Sequence, residues 1–316
     1  MNDMMNATRL RSPRRWARTL LPVLVGVAAC APAIEREAAV TATADALPMW
    51  EVTNGDGTVY LLGSIHMLRP ETYPLDDAIY AAFDASAVAA FELHLDSLEA
   101  AAPLMMTRGI YQDGRTLSDV LPDTLHDELA ARLTEVGIPM AAAASMKPWL
   151  AALTVSALTM QRAGFEAAQG IDRHFFERAQ TAGKRVTAFE TMELQIRVFD
   201  AMPEAEQIAF LQTTLDDLDG VVAMIDESTA LWKRGDAEAI GAMMNESMQD
   251  QPNLRRRLLD DRNQAWVPQI EALLSAGDTA MVIVGMGHLT GAGSVIELLR
   301  ARGHTVTRST AAAAAR

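Results

Sequence analysis

The sequence predicts an α/β fold: a mainly parallel central sheet with an N-terminal β-hairpin and large α-helical insertions that form a cap. Three observations predict it. Short apolar runs of strand type recur at Ala87–Leu93, Arg185–Phe189 and Thr279–Val284, with a weaker one at His304–Thr307. Stretches of helical pattern separate them, and strands alternating with helices favour a parallel sheet covered by helices. Near the start of the body, two β-type runs between Trp50 and Leu62 flank Asn54-Gly55-Asp56-Gly57, a hairpin signal.

The elements follow in chain order. Five arginines (Arg9, Arg11, Arg14, Arg15 and Arg18) precede the apolar run Leu20–Val27 and the small residues Ala28 and Ala29. Residues 1–29 thus have the three parts of an export signal. The apolar run is too short to span a bilayer, which takes about 20 residues of helix. The single cysteine comes next, in Val27-Ala28-Ala29-Cys30, a string that resembles a bacterial lipobox. The resemblance implies cleavage before Cys30 and lipidation of its thiol. An ordinary cleavage site is the competing reading, but it would leave an unpaired thiol exposed at the start of an exported protein. The expectation is a lipoprotein in the cell envelope, or a periplasmic protein where the lipid is not added. A mature chain without other cysteines has no disulfides, so its stability must come from a buried core.

Residues 30–47, rich in Ala, Thr and Glu, read as a flexible tether. The folded domain is expected over 48–310, and 311–316 as a disordered tail. Within the domain, Leu125, Leu129 and Leu133 step by four before Gly137, and Pro148 opens a helix to Arg162. A helix from Asp172 to Ala182 stops at Gly183, another runs from Pro203 to near Gly220, and Asp236 reads as an N-cap. A long helix spans Leu254–Leu274, and a short one Ser294–Ala301 before Gly303. The helical stretches at about 97–182 and 195–276 are the insertions. Without its first 29 residues the chain carries 22 basic against 40 acidic residues, a net charge of −18. A surface this acidic repels phosphate, so no nucleic-acid partner is expected.

The candidate site lies where the strands end. Val59-Tyr60-Leu61-Leu62 runs into Gly63-Ser64-Ile65-His66, and Met281-Val282-Ile283-Val284 into Gly285-Met286-Gly287-His288. With 19 Gly and 6 His in 316 residues, fewer than one Gly-x-x-His pattern is expected by chance, and two terminate strand-like runs. The Ala87 strand ends in Phe91-Glu92, and the Arg185 strand in Phe189-Glu190. In an open parallel sheet all carboxyl ends face one crevice. His66, His288, Glu92 and Glu190 should therefore converge, and two imidazoles with carboxylates suit zinc, manganese, cobalt or iron over calcium. The glycines would let the chain turn sharply and approach a ligand closely. Singly, a strand-end His is a hydrogen-bonded structural residue and a strand-end Glu a helix cap; the constellation carries the site.

Other motifs carry less. Gly285-Met286-Gly287-His288-Leu289-Thr290-Gly291 lacks the G-x-G-x-x-G spacing of a dinucleotide fingerprint, and neither H-E-x-x-H nor G-x-S-x-G occurs. His94 reads as a supporting partner or a surface residue, and His174 with Glu177 as one face of an ordinary helix. On the long helix, Arg262 and Asn263 fall in or beside the apolar stripe of Leu259, Trp266, Ile270 and Leu273. Such a pair is structural glue or points into the crevice to hold substrate.

Taken together, these motifs resemble the TraB/GumN family, which also includes pheromone-shutdown proteins and Tiki-type membrane metalloproteases. The marks are Leu62-Gly63-Ser64-Ile65-His66 with Tyr73-Pro74-Leu75, Glu92, Lys147-Pro148-Trp149, Gly170-Ile171-Asp172 with Phe175, Glu190, Asp261-Arg262-Asn263 with Trp266, and Gly285-Met286-Gly287-His288-Leu289. The resemblance implies a divalent metal ion (manganese, cobalt or zinc) on His66, His288 and Glu92, with Glu92 as ligand or general base, Glu190 as the alternative general base, and Arg262 with Asn263 among the catalytic residues. His94 stands where a further acid is common. Two functions follow as expectations: a metal-dependent hydrolase cleaving a peptide or other small amide or ester, or a non-catalytic lipoprotein that binds a peptide or sugar.

Overall fold

A computed structural model describes residues 46–53, 57–249 and 251–310. The export signal, Cys30, the hairpin turn at 54–56 and the tail at 311–316 lie outside the described residues. Six strands form one sheet: β1 (Ala46–Thr53), β2 (Thr58–Ser64), β3 (Val88–Leu93), β4 (Arg185–Glu190), β5 (Thr279–Gly285) and β6 (Thr305–Thr310). Their order is β4-β3-β5-β2-β1-β6. The first four in that order are parallel, while β1 runs antiparallel to both β2 and β6. The mainly parallel sheet and its N-terminal hairpin are those read from the sequence. Strand β1 begins at Ala46, inside the stretch read as tether, where Ala46 pairs with Thr310 of β6.

Burial explains the strand types. All six residues of β3 and six of the seven in β5 are buried, as continuous apolar runs must be when helices cover both faces of a parallel strand. The chain leaves β2, passes through the helix Asp77–Ala85 to β3, and returns much later to set β5 between them. Such an inserted strand creates the crevice at which open α/β sheets bind ligands. Register then aligns the motifs: Ser64 of β2 pairs with Gly285 of β5, Phe91 of β3 with Ile283, and Leu93 with Glu190 of β4.

The helical segments pack on one another and on the sheet. Pro148 sits in the first turn of Pro148–Arg162, whose buried face includes Trp149, Ala152 and Val155. This helix packs on Glu204–Asp217, so the two insertions share an interface. The helix Ile171–Thr181 lies against β3, β4 and β5 and carries Asp172 to the strand ends. The stretch read as one long helix is broken into Pro252–Arg255, a π-helical turn Arg256–Asp260, and Asp261–Ser275. Apolar spacing hides such a turn because one extra residue only rotates the stripe. Among the described residues, no helix is long and apolar enough to cross a membrane.

His174, on Ile171–Thr181, is enclosed by aromatic rings: Tyr73 at 4.6 Å, Phe175 at 5.1 Å and Tyr80 at 5.7 Å between centroids. Its Nε2 is buried without a hydrogen-bond partner. Burial, helped by Arg178 and opposed by Glu177, holds its pKa below the ordinary 6.5. A depressed imidazole contributes stability above its unfolded pKa and loses it as pH falls. The His174→Phe variant is therefore expected to match the wild type in melting temperature at pH 8 and to exceed it at pH 5. An equal difference at both pH values would refute a buried neutral imidazole.

Candidate functional site

The carboxyl ends of the strands bring Glu92, His66 and His288 together. Nε2 of His66 lies 3.7 Å, and Nε2 of His288 3.9 Å, from the same Glu92 oxygen, Oε1. That oxygen also accepts the Gly285 backbone N–H at 2.7 Å. Each imidazole is held through its other nitrogen. His66 Nδ1 lies 3.2 Å from Asp172 Oδ2, and His288 Nδ1 donates to Asn263 Oδ1 at 2.6 Å. Asp172 is in turn fixed by Ser64, whose hydroxyl donates to Asp172 Oδ1 at 3.1 Å and accepts from the Asp172 N–H at 3.2 Å. The Asn263 amide donates to Gly293 O.

Neither motif glycine needs a left-handed backbone. Gly285 has φ −50°, and Gly63 is not among the positive-φ glycines. Space is the constraint. A Cβ on Gly285 would stand 3.1 Å from Glu92 Oε1 and 3.2 Å from His66 Nε2, and one on Gly63 would meet Met286 Sδ at 2.1 Å. Of the two advantages expected of glycine, close approach operates and the sharp turn does not.

Behind the trio, Arg262 joins the two strand-end carboxylates. Its NH2 donates to Glu92 Oε2 at 2.6 Å and its Nε to Glu190 Oε1 and Oε2 at 2.9 and 3.1 Å. NH1 donates to Leu258 O at 2.9 Å and to His288 Nε2 at 3.1 Å. Trp266 adds an indole N–H to Glu190 Oε1 at 2.8 Å and lies against His288 with the rings tilted by 43° and their centroids 4.3 Å apart. Gln195, on the helix Met192–Asp200, reaches an Oε2 of each carboxylate at 3.4 Å.

These contacts set the charges. Burial would raise the Glu92 pKa, but Arg262, the two imidazoles and the Gly285 N–H hold it well below the carboxylate range. Burial and the Arg262 charge push His288 down to about 3. Burial would also lower His66, but Asp172, through charge and hydrogen bond, and then Glu92 raise it to about 9. The two carboxylates keep Arg262 protonated against the effect of its burial.

His66, Glu92, Asp172 and Gln195 open onto a cavity of about 830 Å³ with walls that include Leu93, Leu158 and Phe165. His288, Glu190, Arg262 and Asn263 do not line it. Of the two readings for Arg262 and Asn263, their contacts thus match structural glue around the histidines. Among the described residues, no group of three or more His, Cys, Asp or Glu side chains is spaced to hold a metal ion as the cluster stands.

The TraB/PrgY/gumN family model matches residues 48–308, most of the chain. The chain belongs to that family. It is also 20% identical over 270 residues to an uncharacterized protein of Treponema pallidum (strain Nichols), covering 80% of each chain. No solved structure matches it.

Within this TraB/PrgY/gumN chain, sequence reasoning found both histidines and both glutamates but gave no role to Asp172, Ser64 or Gln195. Asp172 carried a usable signal, since it follows Gly170-Ile171 at a helix start. A Cβ on Gly170 would meet His66 O at 2.4 Å, so that glycine lets the helix approach the histidine loop. Gln195 carried none. His94 is half-exposed, 3.8 Å from Asp96 and edge-on to Phe176.

Glu190→Ala would leave the Arg262 Nε and the Trp266 N–H without their acceptor inside the fold. Removing one partner of a buried ion pair is expected to lower the unfolding free energy by about 3 kcal/mol. Urea denaturation measures it, and a loss below about 0.5 kcal/mol, the range of surface substitutions, would show that Glu190 does not anchor the cluster.

Proposed function

We propose that this chain is a metal-dependent hydrolase of the TraB/PrgY/gumN type, anchored to the envelope through a lipid on Cys30 and acting on a peptide or another small amide or ester. The observation that carries the reading is the convergence of two imidazole Nε2 atoms on one oxygen of Glu92, at 3.7 and 3.9 Å. The donor chemistry fits a divalent ion. With Nδ1 engaged by Asn263, the neutral His288 ring keeps a lone pair at Nε2, and His66, held at Nδ1 by Asp172, would offer its Nε2 once an incoming ion displaces the proton there, an arrangement typical of metal-binding histidines. Glu92 stays ionised. Glu92 and Glu190 share the Arg262 guanidinium while Asp172 pairs with His66, so three carboxylates stand against two cationic groups, a surplus of negative charge that a divalent ion would offset. Mixed imidazole and carboxylate ligands suit manganese, cobalt or zinc. Such an ion supplies Lewis acidity and makes a bound water more acidic.

The protein's own residues divide the remaining work. His66, His288 and Glu92 would hold the ion, while Asp172 and Asn263 fix the imidazoles by their second nitrogens. Glu190 holds Arg262 and Trp266. Because Glu190 does not line the cavity, proton transfer at a substrate rests with Glu92. Glu92 would take a proton from the attacking water and pass it to the leaving group, as a weak base because its neighbours hold its pKa low. The apolar cavity walls would exclude water and receive a substrate side chain.

The test is hydrolysis of a peptide library with manganese, cobalt or zinc. Cleavage is expected from the wild type, with rates lower by about 100-fold or more in His66→Ala and Glu92→Gln. Equal rates for wild type and His66→Ala with every metal would overturn the reading. Peptides that bind but are recovered intact would favour the binding lipoprotein. For the anchor, Cys30→Ser is expected to move the protein from the membrane to the soluble fraction, and an unchanged distribution would exclude lipidation there.

A further inference from the structure

Arg262 is more tightly engaged than a brace requires. Each of its nitrogens has an acceptor, and one of them, NH1, is shared between Leu258 O and the Nε2 lone pair of His288. A guanidinium thus takes the same His288 atom that a metal ion would need. We propose that Arg262 is the resident cation of this site: it closes the His66–Glu92–His288 trio and yields to a divalent ion by withdrawing NH1 from His288, so that it sets how tightly the ion is held and how readily it leaves. The inference rests on the metal-site reading above.

Three features favour exchange over a fixed brace. First, NH1 keeps a second acceptor in Leu258 O, which belongs to the π-helical turn Arg256–Asp260. Giving up His288 therefore leaves NH1 with one of its two N–H groups still bonded, which limits the cost of exchange to a single donor. Second, the anchors of Arg262 lie off the trio's shared oxygen. Nε is held by Glu190 and NH2 by Glu92 Oε2, whereas both imidazoles face Glu92 Oε1. A small tilt of the whole planar guanidinium about its Nε and NH2 anchors can draw NH1 away from His288 while those two anchors hold. Third, a positive charge within hydrogen-bond range of two prospective ligands opposes any incoming cation, and it does so strongly where water is scarce.

Chelator-treated full-length protein in detergent, titrated calorimetrically with zinc and with manganese, tests the proposal. Variants are Arg262→Gln, Arg262→Lys, and the paired His66→Ala, His288→Ala change. Arg262→Gln is expected to bind at least about tenfold more tightly than wild type because the repelling charge is gone, Arg262→Lys to fall near wild type, and the paired variant to lose binding. In wild type, the Nη protons of Arg262 are expected to exchange with solvent faster once zinc is bound.

If wild type binds an ion and Arg262→Gln binds it no more tightly, the proposal is overturned while the metal site stands. If wild type binds nothing but Arg262→Gln does, Arg262 blocks the ion without yielding to it, and both the exchange and the metal-dependent reading of the native chain fall. If neither binds, both fall. Should Arg262→Gln fail to fold, the exchange measurement decides: Nη exchange unchanged at zinc saturation overturns the proposal, and acceleration upholds it.

Discussion

Two carboxylates at neighbouring strand ends cannot both be ionised inside a fold unless a cation lies between them. Strands β3 and β4 pair in parallel with Leu93 opposite Glu190, which brings Glu92 and Glu190 to the same edge of the sheet. Arg262 resolves their repulsion, bonding both at 2.6 to 3.1 Å. Breaking one arm of such a buried cluster is far more harmful than the net worth of the pair suggests. The guanidinium therefore ties the helix Asp261–Ser275 to the sheet, and that helix also supplies Asn263 and Trp266 to the surroundings of His288.

The order in which strands join the sheet gives this pairing its reach. With β5 inserted between β3 and β2, Glu92 faces the start of one Gly-x-x-His segment and the end of the other, although nearly the whole domain separates them in sequence. Gly285 is the narrowest point, where any side chain would fill the space between carboxylate and imidazole. Helix Ile171–Thr181, drawn close by Gly170, then fixes His66 from the opposite side through Asp172.

The sheet was legible in the sequence because buried parallel strands read as unbroken apolar runs, and β3 and β5 are such runs. The two histidines were legible because a repeated Gly-x-x-His after a strand is rare by chance. Partnerships were not. Gly170 before Asp172 hints at a close approach, but which group Asp172 meets is not in its spacing, since first-turn acids at helix starts usually serve the helix dipole. Gln195 lies on an ordinary amphipathic helix, and its contact with both glutamates exists only once the sheet edge has formed. Arg262 could be seen to need a partner but not which one. The π-helical turn before it left no mark, because insertion of one residue preserves composition and nearly preserves the stripe.

The cavity is assembled from two sources that can change separately. Its floor comes from strand ends, where almost every polar atom has an assigned neighbour. Much of its wall comes from Ala157, Leu158, Gln161, Phe165 and the 166–168 segment, which lie on or after the helix Pro148–Arg162. Drift in that wall can reshape what the cavity admits while leaving the strand-end cluster untouched.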